Sequence, residues 1–443
     1  MKKGILLVGL VFMVATIVVA QERMELSLSQ AQEYAVANGY EMRNARYGLD
    51  SADESFLEVL SSVLPQVKAN ASLSDNLKMM TTLIPAVIFN PMASEDDYME
   101  LKFGMQFNTG LGLQASQLLF NAPVLVGIQT AKIYKQLAEQ GIAKTEQDVK
   151  ESVAYTYYLI LVSQESAAII EDHIANLEQS LRQTEKMVSV GMAEETAVDE
   201  VKVALIAMEN TRSGIARNVK INYNLLRFQL GLPGDTELLL TGTLEEAMRD
   251  VQAETLLEQS FLLDEHIDMQ MVETQQRLAM LALKEKRAQV LPSLVGFYNY
   301  NYSGQGDELF DQRWFPSSVL GLQLDVPLFA GGLRRARIAK AKIEVAKLET
   351  SREMLSSQLL MQERQLRYNL KTALEKFRSE KERLLLAERV LENYRLKYRQ
   401  GIISSMELIQ SNNNYLQSAN NHISAMVEVL QAKVALDKLL NNL

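Results

Sequence analysis

Residues 101–123 read LKFGMQFNTGLGLQASQLLFNAP, and residues 319–333 read VLGLQLDVPLFAGGL. Leu101, Phe103, Met105, Phe107, Leu111, Leu113 and Ala115 alternate with Lys102, Gly104, Gln106, Asn108, Gly110, Gly112 and Gln114. Leu320, Leu322, Leu324 and Val326 alternate with Gly321, Gln323 and Asp325, and Tyr298, Tyr300 and Tyr302 with Asn299 and Asn301. A period of two places one set on each face of a strand. Leu119-Phe120 then opens a long proline-free stretch that breaks at Gly191, and Leu328-Phe329 opens another that breaks at Gly401. The breaks lie 210 residues apart and the openings 209. Upstream of each, Val63-Leu64-Pro65-Gln66-Val67 matches Val290-Leu291-Pro292-Ser293-Leu294. Self-similarity at a fixed offset predicts a duplicated unit: helix, strand, loop, strand, very long helix, turn, long helix.

No proline occurs in residues 124–232 or 328–443. Proline inside a helix costs ~3 kcal/mol, so both zones can hold uninterrupted helices. In the second zone Leu370, Phe377, Leu384, Leu391 and Tyr398 recur every seven residues, with Leu366, Ala373, Ala387 and Tyr394 as companions. Ile409, Leu416, Ile423 and Leu430 resume the step after Gly401. A sustained seven-residue repeat is coiled-coil patterning. A helix over residues 333–399 would run roughly 100 Å at ~1.5 Å per residue.

The layout assigns residues 21–232 to a first repeat, with strands near 66–73 and 101–118 and helices near 124–190 and 194–230. Residues 233–258 form a linker. The second repeat, 259–443, has strands near 294–302 and 318–328 and helices near 333–399 and 404–440. Residues 74–100 and 303–317 are expected as loops, the first carrying an apolar piece over residues 83–89 that would fold over a barrel mouth.

Lys2 and Lys3, the apolar run from Gly4 to Val19 and the small residues before Gln21 read as a secretory signal over residues 1–20. Its removal leaves 43 basic against 55 acidic side chains, the opposite of a nucleic-acid binder. Beyond it no run of 18 consecutive apolar residues occurs, so a membrane-spanning form would have to be a closed β-barrel. Strands of about ten residues, apolar on one face and polar or glycine on the other, are the mark of such barrels. The same alternation also fits a half-buried sheet in an exported soluble coiled-coil scaffold or adaptor.

Little chemistry is encoded. The chain has no cysteine, which excludes disulfides and thiolate metal sites. His173, His266 and His422 stand far apart and in no metal-ligand spacing, and read as packed or surface side chains. Gly110-Leu111-Gly112 lacks the third glycine and following helix of a dinucleotide loop. No metal, cofactor or enzymatic activity is expected. Arg334, Arg335, Arg337, Lys340 and Lys342 form the strongest basic patch, either a solvated helix face or a contact for anionic lipid head groups.

These residues resemble the TolC-like outer-membrane efflux protein family over nearly all of the chain after residue 20. The likeness rests on the two Leu-Pro strand beginnings, the Leu-Phe strand exits with Leu328-Phe329-Ala330-Gly331-Gly332, Leu230-Gly231-Leu232-Pro233 and Tyr398-Arg399-Gln400-Gly401, in order and spacing. The resemblance implies a homotrimer in which each chain gives four strands to one 12-strand barrel in outer-membrane lipid. Long helices would form an α-helical barrel across the periplasm, where an adaptor and an inner-membrane transporter dock. Leu101, Phe103, Met105, Phe107, Leu320, Leu322 and Leu324 would face lipid. Val190, Gly191, Met192, Gly401 and Ile402 would form the docking tips. Glu407, Tyr398, Gln410, Glu195 and Asp199 would surround the periplasmic entrance. Three departures weaken a charge-locked gate: Ala197 at the counterpart of Glu407, Gln410 at a second acidic position, and Ile403 where an arginine is expected.

Overall fold

The computed structural model describes residues 23–89, 92, 94 and 98–443; the signal reading over residues 1–20 lies outside them. In chain order the elements are β1 (Met24–Leu26), α1 (Leu28–Asn38), α2 (Tyr40–Ser61), β2 (Gln66–Asp75), β3 (Met80–Pro85), β4 (Tyr98–Phe103), β5 (Phe107–Asn121) and α3 (Ala122–Ser189). There follow α4 (Glu195–Leu230), β6 (Leu238–Leu240), α5 (Leu244–Arg249), α6 (Ala253–Glu258), α7 (Ile267–Ala288), β7 (Ser293–Gly306), β8 (Arg313–Asp325), α8 (Leu333–Arg399) and α9 (Ser405–Leu439). The chain divides into two compact units. One comprises the chain up to Asn44 with Lys144–Leu262 and Leu359–Leu443; the other comprises Ala45–Ala143 and Leu263–Gln358.

The first unit is helical. The seven-residue repeat of α8 falls on its buried side: Leu370, Ala373, Leu391 and Tyr398 are buried, and Leu366, Phe377, Leu384, Ala387 and Tyr394 are half-buried. On α9, Leu416, Ile423 and Leu430 are buried. One 18-residue window of α3 reaches a mean hydropathy of 1.2 and is 44% buried. The same helix buries Val153, Ala154, Tyr157, Ile160 and Leu161, as a core helix would.

The linker over residues 233–258 holds regular structure of its own. β6 pairs in parallel with β1, and α5 and α6 follow. The Tyr157 hydroxyl donates to the Leu26 carbonyl at 3.3 Å and accepts from the Gly242 amide at 3.1 Å, tying both ends of that pairing to α3. Arg367 on α8 donates to the carbonyls of Leu256, Leu257 and Gln259 and pairs with Glu363. A guanidinium suits the C-terminal turn of α6, whose carbonyls have no partner within the helix.

The second unit carries a four-stranded antiparallel sheet in the order β2-β5-β7-β8. A single strand over 101–118 was expected; the structure has two. β4 pairs with β3 in a separate hairpin, and β5 begins at Phe107. The break is at Gly104, with φ +104°, a conformation glycine adopts at little cost. Leu101 and Phe103 therefore lie outside the four-stranded sheet and Met105 lies in the break. Residues 74–100 contain β3, a short 3₁₀ turn over Ala86–Ile88 and the start of β4, so the apolar piece is not a plain loop. β7 and β8 also extend into the expected loop over 303–317, leaving only residues 307–312 between them.

Candidate channel wall and helix tips

Register fixes the faces of the sheet. Val67, Ala69 and Ala71 of β2 stand opposite Ala115, Leu113 and Leu111 of β5, which stand opposite Tyr298, Tyr300 and Tyr302 of β7. Tyr298, Gly296 and Leu294 oppose Leu320, Leu322 and Leu324 of β8. One face is thus apolar and aromatic across all four strands. It has no cover: Leu320, Leu322 and Leu324 are 82%, 70% and 62% exposed. Tyr302 and Trp314 stack at its far end, ring centroids 4.9 Å apart.

The opposite face carries Lys68, Asn70 and Ser72, Gly110, Gly112 and Gln114, and Asn299, Asn301 and Ser303. A Cβ on Gly112 would sit 2.3 Å from Asn70 Oδ1 and 2.9 Å from Asn301 Oδ1. A larger residue there would have to displace the asparagine amides on either side. Phe107 begins β5 opposite Asp75 and Gly306, at the sheet's margin. Both outer strands, β2 and β8, have one unpaired edge among the described residues. An open edge and an uncovered apolar face are each unstable in water.

At the end of α3 the amide of Met192 bonds the Met187 carbonyl and that of Gly191 bonds Val188. At the end of α8, Ile402 bonds Lys397 and Gly401 bonds Tyr398. Both are Schellman exits, and Gly191 and Gly401, at φ +75° and +71°, supply the left-handed residue the motif needs. The ends of α4 and α9 repeat the pattern at Gly231 and Asn441, again 210 residues apart. Val190, Met192 and Ile402 are exposed.

The restarts differ. Ser404 caps α9: its hydroxyl accepts from the Glu407 amide at 3.3 Å, and Glu407 Oε2 accepts from the Ser404 amide at 2.8 Å and hydroxyl at 3.0 Å. These bonds from the Ser404 backbone and then its side chain hold the Glu407 carboxyl below its ordinary pKa. α4 starts at Glu194 with no side-chain cap. Sequence spacing alone could have found the first arrangement, since Ser404-x-x-Glu407 is a capping box. Gln410 donates to Asn414 at 3.2 Å, and Glu200 accepts from Ser405 at 2.8 Å, joining α4 to α9. Glu195 lies in the first turn of α4 and Asp199 one turn on.

Tyr398 differs from the expectation of a constriction residue. It is 3% exposed and packs with Leu391 and Leu408, flanked by Met187, Tyr394, Ile403 and Tyr415. Its hydroxyl shares a 2.5 Å hydrogen bond with Thr184 Oγ1. The seven-residue step through Leu391 had already assigned it inward.

His173 and His266 are buried, and His422 stacks on Phe377 at 5.3 Å. Burial, aided by Arg395, pushes the His173 pKa down to about 4. No cluster of three or more metal-binding side chains occurs among the described residues.

The outer membrane efflux protein family model matches residues 32–232 and 260–442. Outer membrane protein TolC of Vibrio cholerae serotype O1 is 20% identical over 422 residues, covering 93% of this chain and 91% of its own. Three solved structures share the fold, each over 93% of this chain. The outer membrane protein VceC of Vibrio cholerae has a TM-score of 0.69 at 15% identity over 95% of its chain. The transmembrane channel CusC has 0.70 at 15% over 91%, and the Campylobacter jejuni outer membrane channel CmeC 0.70 at 15% over 85%.

Proposed function

The chain belongs to the outer membrane efflux protein family, and from that premise we propose that three copies close one duct through the outer membrane. Channels of this family serve tripartite efflux systems in the outer membrane, with the helical part extending into the periplasm. The observation that carries the closure is the open four-stranded sheet with an uncovered apolar face and two unpaired edges. Unpaired backbone groups in lipid cost several kcal/mol each. Because all pairings within the sheet are antiparallel, β8 of one copy can meet β2 of the next in the same sense, giving 12 strands. Tyr and Leu then face lipid while Asn, Gln, Ser and Gly, with Phe297, Phe315 and Val319 among them, line the bore. The matched helix exits at 191/401 and 231/441 support descent from a duplicated unit.

The turns at Val190–Met192 and Gly401–Ile402 are the docking tips for a periplasmic adaptor, behind which an inner-membrane transporter supplies energy. The duct itself carries out no chemical step. Glu407 and Gln410, with Glu195 and Asp199, set the charge of the periplasmic entrance. Tyr398 braces it from within.

Sizing the detergent-extracted protein tests the assembly: a trimer is expected, and a monomer soluble without detergent overturns it. Leu322→Arg should cost about 2–4 kcal/mol of assembly if Leu322 lies near mid-bilayer. In single-channel recordings Glu407→Ala should weaken cation block; unchanged block removes Glu407 from the entrance.

A further inference from the structure

The junction of β8 and α8 joins three features, two of which the channel reading leaves unused. First, Leu328 and Phe329 are 88% and 90% exposed, although they are among the most apolar side chains in the molecule. Second, α8 begins with Arg334, Arg335, Arg337, Lys340 and Lys342 and has no acidic residue before Glu344. Cations at a helix N-terminus oppose its dipole, so this placement works against the helix. Arg334 donates to the Pro327 carbonyl at 2.8 Å, folding the first turn onto the end of the strand. Arg335, Arg337, Lys340 and Lys342 are exposed and pair with no carboxylate among the described residues. The overall chain is acidic, at −10, so the patch is a local reversal. Third, the apolar face of the sheet carries a shallow depression of about 620 Å³, bordered by Ala115, Leu119, Tyr298, Leu320 and Leu322 and floored by Gly296. Leu322 stands five residues before Pro327, at most ~17 Å along an extended chain. That is about half of the ~30 Å hydrocarbon core, the depth of one leaflet.

From these we propose that the junction is a binding site for an anionic glycerophospholipid of the leaflet nearer the helices. The inference rests on the membrane reading above. An acyl chain lies in the Gly296 depression. Leu328 and Phe329 enter the interface beside it, and the phosphate is held among Arg335, Arg337, Lys340 and Lys342. Exposed apolar residues next to unpaired basic ones are the usual pattern of such interfacial contacts. The corresponding exit of β5 shares only the apolar half: Leu119 and Phe120 are exposed there, but the first basic residue of α3 is Lys132. Each chain therefore has one such site.

Native mass spectrometry of the full-length trimer released from nanodiscs of mixed phosphatidylglycerol and phosphatidylcholine tests it. The wild-type trimer should retain phosphatidylglycerol roughly tenfold over phosphatidylcholine. The triple variant Arg335→Gln, Arg337→Gln, Lys340→Gln should bring the ratio near one. Gly296→Val fills the depression, since a Cβ there meets Leu119 and Leu322 at ordinary contact of 3.4 and 3.6 Å; it should reduce retention of both lipids. Equal retention of the two lipids by the wild-type trimer overturns the site without needing any variant to fold, and an unchanged ratio in the triple variant overturns the basic half. A chain that never enters nanodiscs as a trimer defeats the channel reading first, and this inference with it.

Discussion

The sheet and the helical unit spend similar side chains in opposite ways. Leu322 on β8 is largely exposed, with only a depression and its strand neighbours around it, whereas Leu430 on α9 is fully buried. In α9 the buried set includes Ser405, Ser411, Asn412, Ser418 and Asp437 beside the leucines; in the sheet, the leucines and tyrosines share one face and most of the polar side chains the other. A protein in water hides leucine and shows asparagine. The sheet presents a largely apolar face, with Leu320, Leu322 and Leu324 on it, to its surroundings, as a surface built to meet lipid would.

The largest expected effect separates the two regions directly. Leu430→Ala should cost about 2–5 kcal/mol, because it loses transfer free energy and leaves a cavity. Leu322→Ala loses only the transfer part, about 1.5 kcal/mol. Denaturation midpoints of the two variants in the same detergent would show the gap, and equal losses would mean that the sheet face is covered like a core.

A pH dependence should belong to the helical unit. The folded His173 pKa, about 4, lies below its ordinary 6.5, so between these values the unfolded chain binds the extra proton. The stability it contributes is present above about pH 6.5 and is lost as pH falls toward 4, amounting to about 2 kcal/mol between pH 7 and 5. His173→Gln should flatten that part of the thermal-stability profile recorded by helical circular dichroism. A slope identical to wild type would assign the acid sensitivity elsewhere.

The smallest effect compares the two tips. Ser404→Ala removes a cap and should cost about 1 kcal/mol at the start of α9. Glu194→Ala, at a helix start without a side-chain cap, should leave amide hydrogen exchange in α4 unchanged. Equal changes at both restarts would erase the distinction between them.

Much of the architecture could be read from periodicity because both solvents impose a period. The seven-residue step located the buried side of α8, and the two-residue step located the sheet faces from Leu111 onward. Where periodicity failed, the cause is specific. Apolar residues at odd positions continue from Leu101 through Phe107, so the alternation hid the chain break; a left-handed glycine interrupts the backbone without disturbing the pattern. β1 and β6 are three residues each and pair across more than 200 positions, too short and too distant for any local signal. Gly191 and Gly401 mark the helix ends in the sequence, and the Ser404-x-x-Glu407 spacing carries the engagement of Glu407. The heptad position of Tyr398, one step after Leu391, carries its burial.

Gly112 would set a calibre in the proposed duct. Asn70 and Asn301 flank it so closely that even a methyl group would push an amide aside, and in the proposed duct this face would line the bore. If three copies close the proposed duct, such a change would recur at one height around the circumference, and one added carbon per chain would act there as an iris, tightening the passage evenly on all sides.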